Sequence, residues 1–289
     1  MADYQKQTVQ WFPGHMARTR RQIRESLSMV DAVTELLDAR CPFSSRNPEL
    51  KEIIGGKPHI VLLNKCDMAD EKKTRAFQRY LNARGEHAVP VDCRSGKGLK
   101  AYPGLVREVL RERIEANCAR GMAGRALRIM VVGIPNTGKS SFINRMAGKN
   151  RARVADRPGV TRQNQWFAIG NGIELLDTPG VLWPKFEDPH VGNTLAFIGS
   201  VKDEVLDSET LAFRLIEFLK SAYPGALEQR YGLESGIEET LELFDRIGQK
   251  RGMLLRGGEI DYERVSNMLL DEFRGGLLGR ITVDEVPSK

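Results

Sequence analysis

The stretch Gly133-Ile134-Pro135-Asn136-Thr137-Gly138-Lys139-Ser140 fits G-x-x-x-x-G-K-[ST], the spacing of a phosphate-binding P-loop. Before it, Leu127-Arg128-Ile129-Met130-Val131-Val132 reads as a buried strand. After it, Ser141-Phe142-Ile143-Asn144-Arg145-Met146 opens a helical pattern. That flanking context turns a short match into a site. Gly133 and Gly138 let the backbone curl so that successive N–H groups face phosphate oxygens, with Asn136, Thr137 and Ser141 in the same cradle. The helix N-terminus adds partial positive charge. Lys139 is placed to reach the β- and γ-phosphates, and the Ser140 hydroxyl to ligate Mg2+. A nucleoside triphosphate is the implied ligand.

The base is decided elsewhere in the chain. Ile173-Glu174-Leu175-Leu176-Asp177-Thr178-Pro179-Gly180 is an apolar strand ending in Asp-x-x-Gly. Asp177 there can hold a water on Mg2+, and the Gly180 N–H can meet a γ-phosphate. Far upstream, Ile60-Val61-Leu62-Leu63 ends in Asn64-Lys65-Cys66-Asp67. A carboxylate such as Asp67 accepts from guanine N1–H and the 2-amino group, a pattern adenine lacks, so GTP is expected. Three such motifs at strand C-terminal ends reinforce one another, because open α/β sheets bind ligands at that edge. Their order is rearranged. Most small GTPases carry the P-loop first and Asn-Lys-x-Asp last; here the order is 64–67, 133–140, 177–180. A sheet cut at one loop and rejoined at its old ends gives that order.

The fold class expected is α/β: a circularly permuted P-loop GTPase domain over 1–189, its mostly parallel sheet flanked by helices. A small all-α domain over 190–289 follows. With 289 residues, 41% of them hydrophobic, the chain has room for both. Cys41, Cys66, Cys93 and Cys118 show no Cys-x-x-Cys spacing, which favours a reducing cytosol over a disulfide framework. No apolar run approaches the roughly 18–20 residues needed to span a bilayer, so a cytoplasmic protein with no membrane partner is expected.

Met16 to Leu27 has the spacing of an amphipathic helix, and 1–28 carries Lys6, Arg18, Arg20, Arg21 and Arg24 against Asp3 and Glu25. Those arginines are either a solvated face or a contact for RNA phosphates. Residues 30–40 read as the first core strand, 41–48 as a loop, 70–84 as a helix and 87–91 as a third strand. The loop after it, Asp92-Cys93-Arg94, stands where such a domain carries a second base-reading element; Asp92 and Cys93 are candidate GTP contacts, and Cys93 and Arg94 can supply a backbone N–H for the guanine O6 and a side-chain stem over the base. A long helix over 99–120 and a Gly-punctuated linker over 119–125 lead to the P-loop strand. Thr161, between the P-loop and Asp177, is the candidate for Mg2+ and the γ-phosphate, and basic residues crowd 149–162. Residues 164–169 and 173–176 form a hairpin around Gly170-Asn171-Gly172. Helices over 203–221, 238–249 and 261–273 are expected beyond.

Trp11-Phe12-Pro13-Gly14-His15-Met16, Asp38-Ala39-Arg40, Asn64–Asp67, the P-loop and Asp177-Thr178-Pro179-Gly180-Val181-Leu182-Trp183-Pro184-Lys185, in this order, resemble the ribosome biogenesis GTPase A family over the whole length. The resemblance implies a cytoplasmic GTPase acting late in assembly of the large ribosomal subunit. It implies binding to the precursor particle through rRNA, as a monomer, with no DNA partner. The residue after Gly180 is Val181, where Ras-like enzymes place the glutamine that orients the attacking water. By resemblance His15 is the substitute, with a structural or RNA-contacting role as the other reading. Asn136 either hydrogen-bonds its own loop or helps hold K+ beside the phosphates, where a cation would stand in for an arginine finger. A rival reading is a GTP-dependent RNA-binding switch with negligible turnover.

Overall fold

The computed structural model describes residues 16–148, 165–180, 182–183, 186, 188–201 and 207–287. His15, Thr161, Val181, the basic stretch 149–162 and the start of the helix expected at 203 lie outside them. Two compact units divide the described residues: one takes 16–183 together with 282–287, the other 186–281. The boundary expected at 189/190 is thus drawn four residues earlier, at 185/186, and the last segment returns to the first unit.

The first unit is built on six strands: β1 (Ala32–Asp38), β2 (His59–Asn64), β3 (His87–Pro90), β4 (Leu127–Val132), β5 (Gln165–Ala168) and β6 (Ile173–Asp177). Their order across the sheet is β3-β2-β1-β4-β6-β5, parallel except for the antiparallel edge strand β5. Reading from β4 through β6 and then from β1 through β3 restores the order of a P-loop GTPase whose chain begins at the P-loop strand. All seven residues of β1 are buried, as a central parallel strand covered on both faces requires.

Helices α1 (Met16–Leu27), α2 (Pro48–Ile54) and α3 (Glu71–Asn82) cover one face. Ile23, Leu50 and Ile54 pack there on Val33 and Met130, and Phe77 and Leu81 on Leu37 and Leu63. The other face carries α4 (Tyr102–Val109), α5 (Arg111–Ala119) and α6 (Lys139–Ala147). Tyr102, Val106, Phe142 and Ile143 pack on Leu36, Leu62, Ile129 and Leu175. Each fully buried Leu, Ile or Phe on these faces contributes roughly 1.5–3 kcal/mol. The single helix expected over 99–120 is instead a 3-10 turn at Leu99–Ala101 followed by α4 and α5. Leu110 departs from helical dihedrals between them (φ −103°, ψ 19°) while its side chain stays buried. Helix α2 falls partly in the stretch read as loop. Asn47 caps it by accepting from Glu49 N at 3.0 Å, Pro48 opens it and Gly55 (φ 60°) ends it.

The second unit is helical: α7 (Pro189–Phe197), α8 (Ser208–Ala222), α9 (Ala226–Tyr231), α10 (Thr240–Lys250) and α11 (Tyr262–Arg274). Carboxylates of Asp188, Asp207 and Asp261 accept from the first-turn N–H groups of α7, α8 and α11. Leu215, Ile216, Leu219, Leu243, Phe244, Ile247, Leu269 and Phe273 fill its interior.

Candidate nucleotide site

The sheet register brings the motif-bearing loops to one edge. Asp38 at the end of β1 lies beside Asn64 at the end of β2, and Val131 near the end of β4 beside Asp177 at the end of β6. Residues distant in the chain are thereby brought side by side at that edge.

The P-loop has the backbone its glycines permit. Gly133 (φ 150°) and Gly138 (φ 97°) occupy the left-handed side of φ space. A Cβ at Gly133 would meet Leu36 O at 2.6 Å, and one at Gly138 would overlap Asn64 Nδ2. Asn136 also has positive φ (63°), which asparagine tolerates better than most residues, and it is exposed at the tip of the loop. Thr137 Oγ1 donates to Ile134 O at 2.9 Å and closes the turn. Ser140 and Ser141 lie in the first turn of α6, whose N-terminal cap position is Gly138.

Lys139 and Asp177 carry the charges of the site. Lys139 Nζ donates to Gly133 O (2.9 Å) and Ile134 O (2.8 Å) and is buried. Burial lowers its pKa to about 8, with the Asp177 charge opposing. Burial raises Asp177 to about 6, against the pull of Lys139. Asp177 Oδ1 is buried without a hydrogen-bond partner. An orphaned buried carboxylate oxygen at the end of β6 fits a metal-bound water, so the residues present suit Mg2+. Thr178 Oγ1 donates to Val131 O at 2.7 Å, anchoring the loop after Asp177. Gly180 lies against the P-loop: a Cβ there would meet Pro135 N at 2.9 Å and Lys139 Nζ at 3.0 Å.

Asn64 ties three loops together. Its Nδ2 donates to Thr137 O at 2.7 Å, and its Oδ1 accepts from Cys93 N at 3.0 Å. The side chain is 3% exposed, so its amide is taken up in joining loops. Lys65 has φ 60° and reaches back to Asp38 Oδ2 at 2.9 Å. The Asp38 carboxylate also receives Arg40 Nε (3.0 Å) and Nη2 (2.8 Å), all of it buried. Burial pushes Asp38 upward, but the charges of Arg40 and Lys65 outweigh it and hold the group well below the carboxylate range. Asp67 Oδ1, past Lys65 and the half-buried Cys66, is buried with no hydrogen-bond partner. It is the oxygen that a guanine edge would need.

In the loop after β3, Asp92 accepts from Arg94 N (2.8 Å) and Ser95 N (3.2 Å). Its carboxylate therefore organises the loop. Cys93 is buried, and burial pushes its thiol up to about 12, so it packs as an apolar group. Its N–H is taken by Asn64. Asp38 and Arg40 appeared in the sequence only as part of a family motif; the structure makes them the support beneath Lys65.

This sheet, with guanine-type and phosphate-type loops on one edge and their order in the chain rearranged, defines a circularly permuted P-loop GTPase. A protein-family profile described as 50S ribosome-binding GTPase matches residues 128–221. "Ribosome biogenesis GTPase A" of Priestia megaterium is 49% identical over 96% of this chain and 97% of its own. The protein of the same name from Bacillus cereus is 47% identical over 96% and 93%. The solved structure titled "Crystal structure of GNP-bound YlqF from T. maritima" matches with TM-score 0.65 and 28% identity, covering 92% of this chain and 97% of that one. The chain belongs to the ribosome biogenesis GTPase A family.

Proposed function

We propose that this protein binds GTP, docks on a precursor of the large ribosomal subunit through rRNA, and hydrolyses GTP to GDP and phosphate to leave. The observation that carries the reading is the meeting of Asp67, Lys139 and Asp177 on one sheet edge, with Asn64 bonded to the loops on either side. The names of the relatives supply the ribosomal context. Asp67 would read N1–H and the 2-amino group of guanine. Cys93 and Asp92 would frame the base from the facing loop. The N–H groups of Asn136 through Ser141 would surround the β-phosphate, and Lys139 would exchange its two carbonyl partners for phosphate oxygens. Ser140, Thr161 and, through water, Asp177 would hold Mg2+, which supplies charge neutralisation across the β- and γ-oxygens. The Gly180 N–H would meet the γ-phosphate.

His15 would orient the attacking water that Val181 cannot, and Asn136 would help hold K+. Among the described residues no helix is long and apolar enough to cross a membrane. Arg21 and Arg24 of α1 and Lys250, Arg256 and Arg264 of the second unit, all exposed, would contact RNA backbone.

The test is sedimentation with ribosomal subunits and their precursors, paired with phosphate-release rates. Preference for the large-subunit precursor with a non-hydrolysable GTP analogue over GDP, and particle-stimulated turnover, are expected. Binding indifferent to nucleotide would overturn the reading; binding without turnover would favour a pure switch. In the same assay His15→Ala should lower stimulated turnover at least tenfold with nucleotide affinity retained. Equal rates in K+ and Na+ would remove the monovalent ion from the mechanism.

A further inference from the structure

The segment Thr282 to Val286 leaves the second unit along the chain and packs on the first, at the loops around Asn64–Asp67. Val283 N donates to Arg40 O at 2.6 Å. Asp284, 3% exposed, accepts from Phe43 N (2.7 Å), Ser44 N (2.8 Å) and Ser44 Oγ (2.6 Å). Thr282 Oγ1 accepts from Asp70 N at 3.0 Å, and Glu285 pairs with Lys73 at 2.6 Å. Val286 packs beside Phe43 on the Phe77 cluster.

Each of these contacts is one step from the base-reading loop. Ala39 N, beside Arg40, donates to Asn64 O at 2.7 Å. Ser45, beside Ser44, accepts at its Oγ from Asp38 N at 3.0 Å, and the Asp38 carboxylate holds Lys65. Asp70 lies three positions beyond Asp67 and caps α3 by accepting from Lys73 N at 3.0 Å. The tail therefore grips the chain before and after residues 64–67. Lys65 sits in a left-handed conformation that needs support from its surroundings.

We propose that Thr282–Glu285 is a positioning element for guanine recognition, and that Asp284 sets base specificity through the Ser44–Ser45 turn and the Asp38–Lys65 pair it supports, without touching nucleotide. The proposal rests on the reading of Asp67 as the guanine acceptor. A buried carboxylate receiving three hydrogen bonds holds a loop more rigidly than an apolar contact would, because each bond fixes a direction. Specificity loosens when that loop loosens, since Asp67 must meet two donors at once.

Inosine diphosphate, which lacks the 2-amino group, provides the readout. Full-length protein and its Asp284→Ala, Ser44→Ala and Asp67→Ala variants are titrated with GDP and with inosine diphosphate. Asp284→Ala is expected to weaken GDP about tenfold and inosine diphosphate about threefold or less, so the ratio of affinities shrinks. Ser44→Ala removes one of the three bonds and is expected to move the same ratio in the same direction by about twofold, and it remains informative if Asp284→Ala fails to fold. An unchanged ratio in a folded Asp284→Ala, or in Ser44→Ala where that variant alone folds, overturns the proposal when Asp67→Ala abolishes discrimination. Asp67→Ala leaving the discrimination intact would instead remove the base-reading assignment, and the tail's role with it.

Discussion

Lys139 and Asp177 face each other as two buried groups whose burial disfavours their charges. For Asp177 the folded pKa, about 6, lies above the 3.8 of the free group. The folded state then holds the proton more tightly, so this group's contribution is full below about pH 4 and is lost as pH rises through 6. At neutral pH the ionised carboxylate costs the nucleotide-free protein up to roughly 3 kcal/mol. Asp177→Asn should therefore be the more stable protein at pH 7 and should lose that advantage by pH 4, measured as the difference between variant and wild type in urea unfolding. Wild type and variant running parallel over that range would contradict the assignment. Glu35 and Asp38, held low by arginine and other cationic neighbours, titrate in the opposite sense, which is why the difference is the quantity to read. A site that is uncomfortable when empty is what a ligand-stabilised enzyme can tolerate.

Among elements, the loops after β2, β3 and β4 behave as one object because Asn64 joins them. Asn64→Ala would leave Thr137 O short of a donor and Cys93 N short of an acceptor, both in buried surroundings. A loss of about 2–4 kcal/mol in stability is expected, together with at least tenfold weaker GDP binding. Asp67→Ala, which breaks no such tie, should weaken binding with little change in the thermal midpoint. Equal stability of Asn64→Ala and wild type would show the tie to be slack.

Much of this was legible in the sequence. The strands at 60–63, 127–132 and 173–176 are apolar runs with no competing reading, and the three motifs fall at their ends. Other features were written in weaker signals. Asn47-Pro48 and Gly55 bracket α2, and Gly225 and Gly232 bracket α9, but both helices are shorter than the apolar periodicity needs to show itself. The break at Leu110 left no mark, since its neighbours are good helix formers. Nor could pattern distinguish Asp92, whose carboxylate serves its own loop, from a residue facing ligand.

For the whole molecule, the division into a sheet unit and a helical unit follows from the change of pattern near 190. The return of 282–287 does not. Thr282 and Asp284 are buried polar residues in a stretch with no motif, and only the partners they find, Asp70 and Ser44, reveal their role. Long-range pairing of this kind is invisible to a reading that looks a few residues at a time.

The strand order has a consequence for how the protein can be taken apart. Strands β1–β3 are contiguous in sequence and in space, as are β4–β6, and among the described residues the two blocks pair in the sheet where Ala32–Glu35 run beside Ile129–Val132. The connection between them passes through Gly121 and Gly124, both exposed, with open space where a Cβ would stand. Co-expressed halves ending at 122 and starting at 123 should associate along that seam and still retain GDP on gel filtration, at a cost set by dilution and not by lost contacts. Halves that stay apart would mean the covalent join, placed where another chain would have its ends, is itself part of what holds the sheet.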